Sequence, residues 1–152
     1  MAKTLLIYGS LTGNTENISN KVQALCKAKG KEIEIKNAMD ADPSDLSGPY
    51  QNFILASSTW EDGQPQADFN DFIQKVVAVK PNLVGKKIAI LGCGDSNYAH
   101  FCGATDIIEK IFVNDLGGKK IIETLRIDGY PETENNQTLL KNWAEKLAEL
   151  ID

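Results

Sequence analysis

At 152 residues, with 42% hydrophobic and 24% charged side chains, the chain has the size and composition of one conventional globular domain, residues 1–152, with a core of its own. A formal net charge of -5 and a pI near 4.9 disfavour nucleic acid and anionic membrane as partners and favour a basic protein surface. The apolar run after Lys3 is too short for a signal peptide or a membrane span, and Cys26, Cys93 and Cys102 form no CxxC pair, so the expected location is the cytoplasm, without disulfides or a zinc site.

Thr4 to Tyr8 (TLLIY) is a short apolar run that predicts a strand. A loop follows, then Ile18, Val22, Leu25 and Cys26 at helical spacing, ending at Gly30. Glu32 to Lys36 (EIEIK) alternates with period two, and Phe53 to Ser58 (FILASS) is apolar again. Phe69, Phe72, Ile73, Val76 and Val77 return to the helical period. Lys87 to Gly92 (KIAILG) predicts a fourth strand, and Ile107, Ile108, Ile111 and Phe112 a helix closed by Gly117 and Gly118. Ile121 to Ile127 predicts one uninterrupted fifth strand, and Leu139, Leu140, Trp143, Leu147, Leu150 and Ile151 share one face of a final helix. Strands alternating with helices, several of them apolar on both faces, indicate an α/β fold with a mostly parallel sheet covered on two sides. Ligands of such sheets sit beyond the carboxyl ends of the strands, which directs attention to the loops after Tyr8, Ser58 and Gly92.

The first loop, Ser10-Leu11-Thr12-Gly13-Asn14-Thr15, sets hydroxyls, an amide and a glycine where the free N–H groups of a helix point outward, a natural place for an anion. It has neither GxGxxG nor the lysine of GxxxxGK[ST], so a phosphate monoester suits it better than a magnesium-bound triphosphate. An ordinary N-cap turn is the competing reading. The second loop, Ser57 to Gly63 (SSTWEDG), puts Trp60 just past a buried strand, as a core anchor or as a ring-stacking surface. The third, Gly92 to Tyr98 (GCGDSNY), ends in another aromatic residue, and two aromatics on neighbouring loops can sandwich a flat ring.

YGSLTGNT, SSTWEDG and GCGDSNYAHFCGA, in this order and spacing along the whole chain, resemble the flavodoxin family, and the short length resembles its short-chain branch. The resemblance implies a three-layer flavodoxin-like sandwich whose five-stranded parallel sheet has the order 2-1-3-4-5, with FMN at the switch point. It further implies that Ser10, Thr12, Asn14 and Thr15, with backbone N–H groups from Leu11 and Gly13 onward, hold the FMN phosphate, and that Ser58 and Thr59 border the ribityl chain. Trp60 and Tyr98 would flank the isoalloxazine, with Glu61, Asp62 and Gly63 along its edge. Cys93, Gly94, Asp95, Phe101 and Cys102 would meet the ring or its pyrimidine side. Glu61 stands directly after the tryptophan, where many members of the family carry glycine.

The function implied is that of a low-potential one-electron carrier, with noncovalent FMN cycling between semiquinone and hydroquinone and no catalytic residue required. Its partners would be basic redox proteins, a flavodoxin reductase and acceptor oxidoreductases, docking transiently on a monomer. An FMN-dependent NAD(P)H:quinone reductase is the alternative, but it needs a second pocket over the ring that this length does not supply. A receiver domain needs an aspartate at the end of the third strand, where Ser57 and Ser58 stand. His100 is the single histidine and belongs to the third loop. Cys26 falls on an apolar helix face, while Glu61, Asp62, Asp68, Asp95, Asp128, Glu132 and Glu134 form an acidic margin that is both solvated and opposed to a reduced, anionic flavin.

Overall fold

The computed structural model describes residues 3–9, 13–59, 65–94 and 103–152. In chain order the elements are β1 (Thr4–Gly9), α1 (Asn14–Ala28), β2 (Ile33–Asn37), β3 (Asn52–Ser58), α2 (Ala67–Val79), β4 (Lys87–Gly94), α3 (Gly103–Glu109), β5 (Lys119–Lys120), β6 (Leu125–Asp128) and α4 (Glu134–Leu150). Two 3-10 turns, Ala38–Asp40 and Pro43–Ser47, join β2 to β3, and a wider π-helical stretch, Lys110–Asp115, extends α3.

The strands lie in the order β2-β1-β3-β4, and β5 and β6 both pair with β4 at the fifth position, all of them parallel. Every residue of β1 is buried, as are all but the last of β3, because both faces of a central parallel strand meet helices. One face carries Leu6, Ile54 and Leu91 against Ile18, Val22 and Cys26 of α1 and Leu140, Trp143 and Leu147 of α4. The other carries Leu5, Ile7, Phe53, Leu55 and Ile90 against α2 and α3. There the ring centroids of Phe69 and Phe72 are 5.9 Å apart edge to face, and those of Phe72 and Phe112 are 6.3 Å apart and stacked, so aromatic contacts pin α2 to the extension of α3.

The fifth strand departs from the sequence expectation, which joined Ile121 to Ile127 in one run. Ile88 pairs with Lys120 and Leu91 with Leu125, so three steps along β4 face five along its neighbour and two surplus residues must leave the ladder. Trp143 supports the detour by donating its indole N–H to the Glu123 carbonyl at 2.8 Å. Among the described residues no helix is long and apolar enough to cross a membrane.

Candidate functional site

Because all strands run the same way, the carboxyl ends of β1, β3, β4 and β6 form one rim, with Gly9 beside Ser57, Ser58 beside Cys93 and Gly94 beside Asp128. The neighbours of β1 are β2 on one side and β3 on the other, so the chain's winding reverses there, the position at which sheets of this kind hold their ligands.

Gly13 is the N-cap of α1, with φ 87° and ψ -6°, and as a glycine it has no side chain of its own to cap the helix. The left-handed conformation suits glycine, and a Cβ built on Gly13 would meet none of the described residues within 4 Å. By contrast, Gln66 caps α2 through Phe69 N–H at 3.1 Å, and Thr133 caps α4 through Asn136 N–H at 3.3 Å. The positive end of the α1 dipole, behind a glycine N-cap, is a fitting place for a phosphate.

Thr15 is fully buried, and its hydroxyl donates to the Cys93 sulfur at 3.7 Å, tying the first turn of α1 to the end of β4. Burial pushes the Cys93 thiol up to about 11 although the Thr15 hydroxyl pulls the other way. Tyr8 is buried below the same turn, and its phenol is raised first by that burial and then by the neighbouring Glu16 carboxylate.

The second loop leaves and re-enters through a narrow neck. Thr59 and Pro65 form an antiparallel bridge, and Gln66 N–H donates to Ser58 O at 3.1 Å and to Ser57 Oγ at 3.0 Å. Gly9 makes this closure possible: a Cβ there would lie 2.4 Å from Gln66 Oε1 and 2.8 Å from Phe69 Cβ. On the far side of the rim, Gly129 N–H donates to Gly94 O at 2.9 Å, and Asn136 Nδ2 donates to Asp128 O and Tyr130 O at 2.8 and 2.9 Å.

Of the residues expected from the sequence, Gly13, Asn14, Thr15, Ser58, Thr59, Cys93 and Gly94 are brought to this one rim. Ser10, Leu11, Thr12, Trp60, Glu61, Asp62, Gly63, Asp95, Tyr98, Phe101 and Cys102, together with His100, lie outside the described residues. Cys26 sits in the core on α1, away from the rim. The contact between Gly9 and Gln66 was missed from the sequence: Gly9 stood only as part of YGSLTGNT, and the preference of helix N-termini for polar residues was the available clue to Gln66. Among the described residues no group of three or more His, Cys, Asp or Glu could hold a metal ion.

The family profile described as Flavodoxin matches residues 6–143. A flavodoxin of Maridesulfovibrio salexigens is 36% identical over 152 residues, covering 99% of this chain and 100% of the relative. Among solved structures, oxidised flavodoxin 2 from Bacillus cereus superposes with a TM-score of 0.90 at 34% identity, over 97% of this chain and 99% of its own. The Fusobacterium nucleatum flavodoxin bound to flavin mononucleotide shares the fold, with a TM-score of 0.81 at 19% identity over 100% of both chains. A matched profile across nearly all of the strands and helices, and a relative aligned over almost its full length, agree with the parallel sheet and its rim on one assignment: this chain belongs to the flavodoxin family.

Proposed function

We propose that the rim at the carboxyl end of the sheet is where this chain holds FMN, and that residues 1–152 act as one FMN-binding domain. Flavodoxins are electron carriers that work with FMN, not enzymes, and this chain is one of them. The observation that carries the placement is the N-terminus of α1, opened by left-handed Gly13, at the point where the winding of the sheet reverses.

Bound there, FMN supplies the chemistry by taking up and releasing electrons one at a time. The chain's task is to bind, orient and shield. Ser10, Thr12, Asn14 and Thr15, with backbone N–H groups from Leu11 and Gly13 onward, take the phosphate. Neutral donors at a helix end suffice for a phosphate monoester, each contact to a charged group contributing about 1.5 to 3 kcal/mol before compensation. Ser58 and Thr59 lie beside the ribityl chain. Trp60 and Tyr98 cover the two ring faces, and Glu61, Asp62, Gly63, Cys93, Gly94, Asp95, Phe101 and Cys102 line its edge. Acids near the ring, Asp68 and Asp128 among the described ones, oppose added negative charge and so favour a low potential.

The same acidity supports transient docking of basic redox proteins, a reductase as donor and oxidoreductases as acceptors, on a monomer in the cytoplasm. Flavodoxin membership itself implies redox protein partners. The reading is tested by titrating apoprotein with FMN and with riboflavin, which lacks the phosphate. FMN is expected to bind on the order of a hundredfold or more tighter, from the lost charge-assisted hydrogen bonds. Equal affinities would remove the phosphate role from α1. Trp60→Ala should weaken both flavins and relieve their fluorescence quenching; intact quenching would make Trp60 a core residue.

A further inference from the structure

Helices α1 and α4 lie side by side on one face of the sheet and are tied together at both ends. Near the rim, Asn17 Nδ2 donates to Glu132 Oε1 at 3.1 Å. Towards the amino end, Lys29 Nζ pairs with Glu145 Oε2 at 3.6 Å, and the Cys26 thiol donates to Ala144 O at 3.7 Å. Between these ties the outer surfaces of the two helices leave a groove of about 460 Å³. Ala24, Leu25 and Leu140 form its apolar part, with Lys21 on the α1 side and Lys141 on the α4 side. Ala24 is exposed, and its single methyl leaves a recess that a longer side chain would fill.

The charges flanking this groove are opposite in sign to the chain as a whole, which carries -5. Among the described residues neither Lys21 nor Lys141 forms an ion pair. Glu134, the carboxylate at the same groove, stands in the first turn of α4 and already faces the positive end of that helix. A purely apolar occupant would desolvate the two ammonium groups without pairing them, which is costly. A purely anionic one would leave the apolar floor wet. What fits both is a ridge of apolar side chains between flanking carboxylates, the surface of an amphipathic helix. Neither a bilayer nor a nucleic acid strand offers such a ridge.

We infer that the groove between α1 and α4 docks an acidic amphipathic helix of a partner protein, with leucine-sized side chains on Ala24, Leu25 and Leu140 and carboxylates on Lys21 and Lys141. The groove lies on the flank of the sheet and not at its strand ends, so a helix seated there leaves the rim open to a basic redox protein. The inference does not rest on the placement of FMN; it adds a second partner surface of the opposite sign.

Three synthetic peptides of about 20 residues, long enough to hold a helix, serve as probes. One carries a stripe of leucines flanked by glutamates, one the same leucines flanked by lysines, and one the glutamates with alanine in place of leucine. Each is titrated into the isotope-labelled, FMN-loaded protein and followed by amide chemical shifts. The leucine–glutamate peptide is expected to bind about tenfold or more tighter than either control, because two attractions become repulsions or the apolar ridge is lost. The shifts should centre on Lys21, Leu25 and Lys141, with Ser58 and Gly94 at the rim unmoved and FMN retained. The double variant Lys21→Glu, Lys141→Glu should prefer the lysine peptide, and Ala24→Gln, which fills the recess without changing charge, should weaken the acidic one. Equal affinity for the glutamate and lysine peptides, shifts centred elsewhere, or no binding of any of the three would overturn the inference. Dodecanoate that moves the same amides at lower concentration than the acidic peptide would give the groove to a fatty acyl carboxylate and overturn it. Shifts at these amides that grow with protein concentration alone would give it to a second copy of the chain, with the same consequence. A protein that takes up no FMN would still permit the titration as apoprotein, so the two readings fail separately.

Discussion

The two ends of the sheet are built from opposite materials. At the amino end the strands are stitched by main chain, Asn52 N–H to Lys3 O at 3.1 Å, Lys87 N–H to Gln51 O at 3.0 Å and Lys119 N–H to Lys86 O at 2.9 Å. Lysines finish that end: Lys86 Nζ donates to Tyr50 O, Lys87 Nζ to Leu150 O and Lys31 Nζ to Ile151 O at 2.6, 3.0 and 2.9 Å. The last two neutralise the carbonyl end of α4, where cations are favourable. At the carboxyl end main-chain bonds, Thr59 N–H to Cys93 O and Gly129 N–H to Gly94 O among them, are joined by contacts through the small hydroxyls of Thr15, Ser57 and Thr59, no lysine closes the described rim contacts, and α1 opens at a glycine. A parallel α/β sheet gathers helix N-termini at one end and C-termini at the other, so one end is closed by cations while the other stays receptive to an anion.

The strongest way to break this division is to crowd each end with one methyl group. Gly118→Ala at the amino end would put a Cβ 2.6 Å from Ile88 Cγ1 and 2.8 Å from Phe112 O, and Gly9→Ala meets Gln66 and Phe69 as closely at the other. Both should lose about 1 to 3 kcal/mol of apoprotein stability in urea unfolding, the usual range for overpacking. Only Gly9→Ala should also weaken FMN binding in titrations of the folded protein. Equal losses of affinity would mean that the site feels the whole sheet.

Caps give a second, smaller contrast. Thr133→Ala removes a side-chain cap from α4 and should cost about 1 kcal/mol with FMN affinity unchanged, both read from denaturation with and without the flavin. Lys80 closes α2 at φ 54°, the one described residue other than glycine with positive φ. Lys80→Gly should therefore stabilise the protein by about 1 kcal/mol, the typical relief of a left-handed non-glycine residue, again without touching FMN binding. A stability loss would mean that the lysine side chain contributes more than its backbone costs.

Thiol labelling separates the two ends most finely. Burial pushes both Cys26 and Cys93 up to about 11. The folded thiols hold their protons more tightly than the unfolded ones, so this contribution to stability is full below the usual thiol value of about 8.5 and is lost as pH rises from there through about 11. At neutral pH both should label only through opening. Cys93, under the rim, should label faster than Cys26 in the apoprotein by local opening, and FMN should bring the two rates together. Identical rates in apoprotein would mean that the rim opens no more readily than the core around Cys26.

The sequence by itself determined the layers. TLLIY, FILASS and KIAILG are apolar on both faces, and the helices between them are apolar on one, so burial alone selects a parallel sheet covered twice. It also marked the rim, because glycine, hydroxyl and aromatic residues cluster after three of those strands. The interruption of the fifth strand was not legible, since Ile121 to Ile127 reads as an unbroken strand and the two surplus residues appear only when counted against β4. Nor was the partner of Thr59, whose hydroxyl accepts from an amide 45 positions away, or of Gly9, whose missing Cβ makes room for Gln66. Periodicity records which face of an element is apolar, a property of neighbours in the chain; which hydroxyl reaches which amide depends on register and packing between distant elements, and those exist only once the sheet has formed.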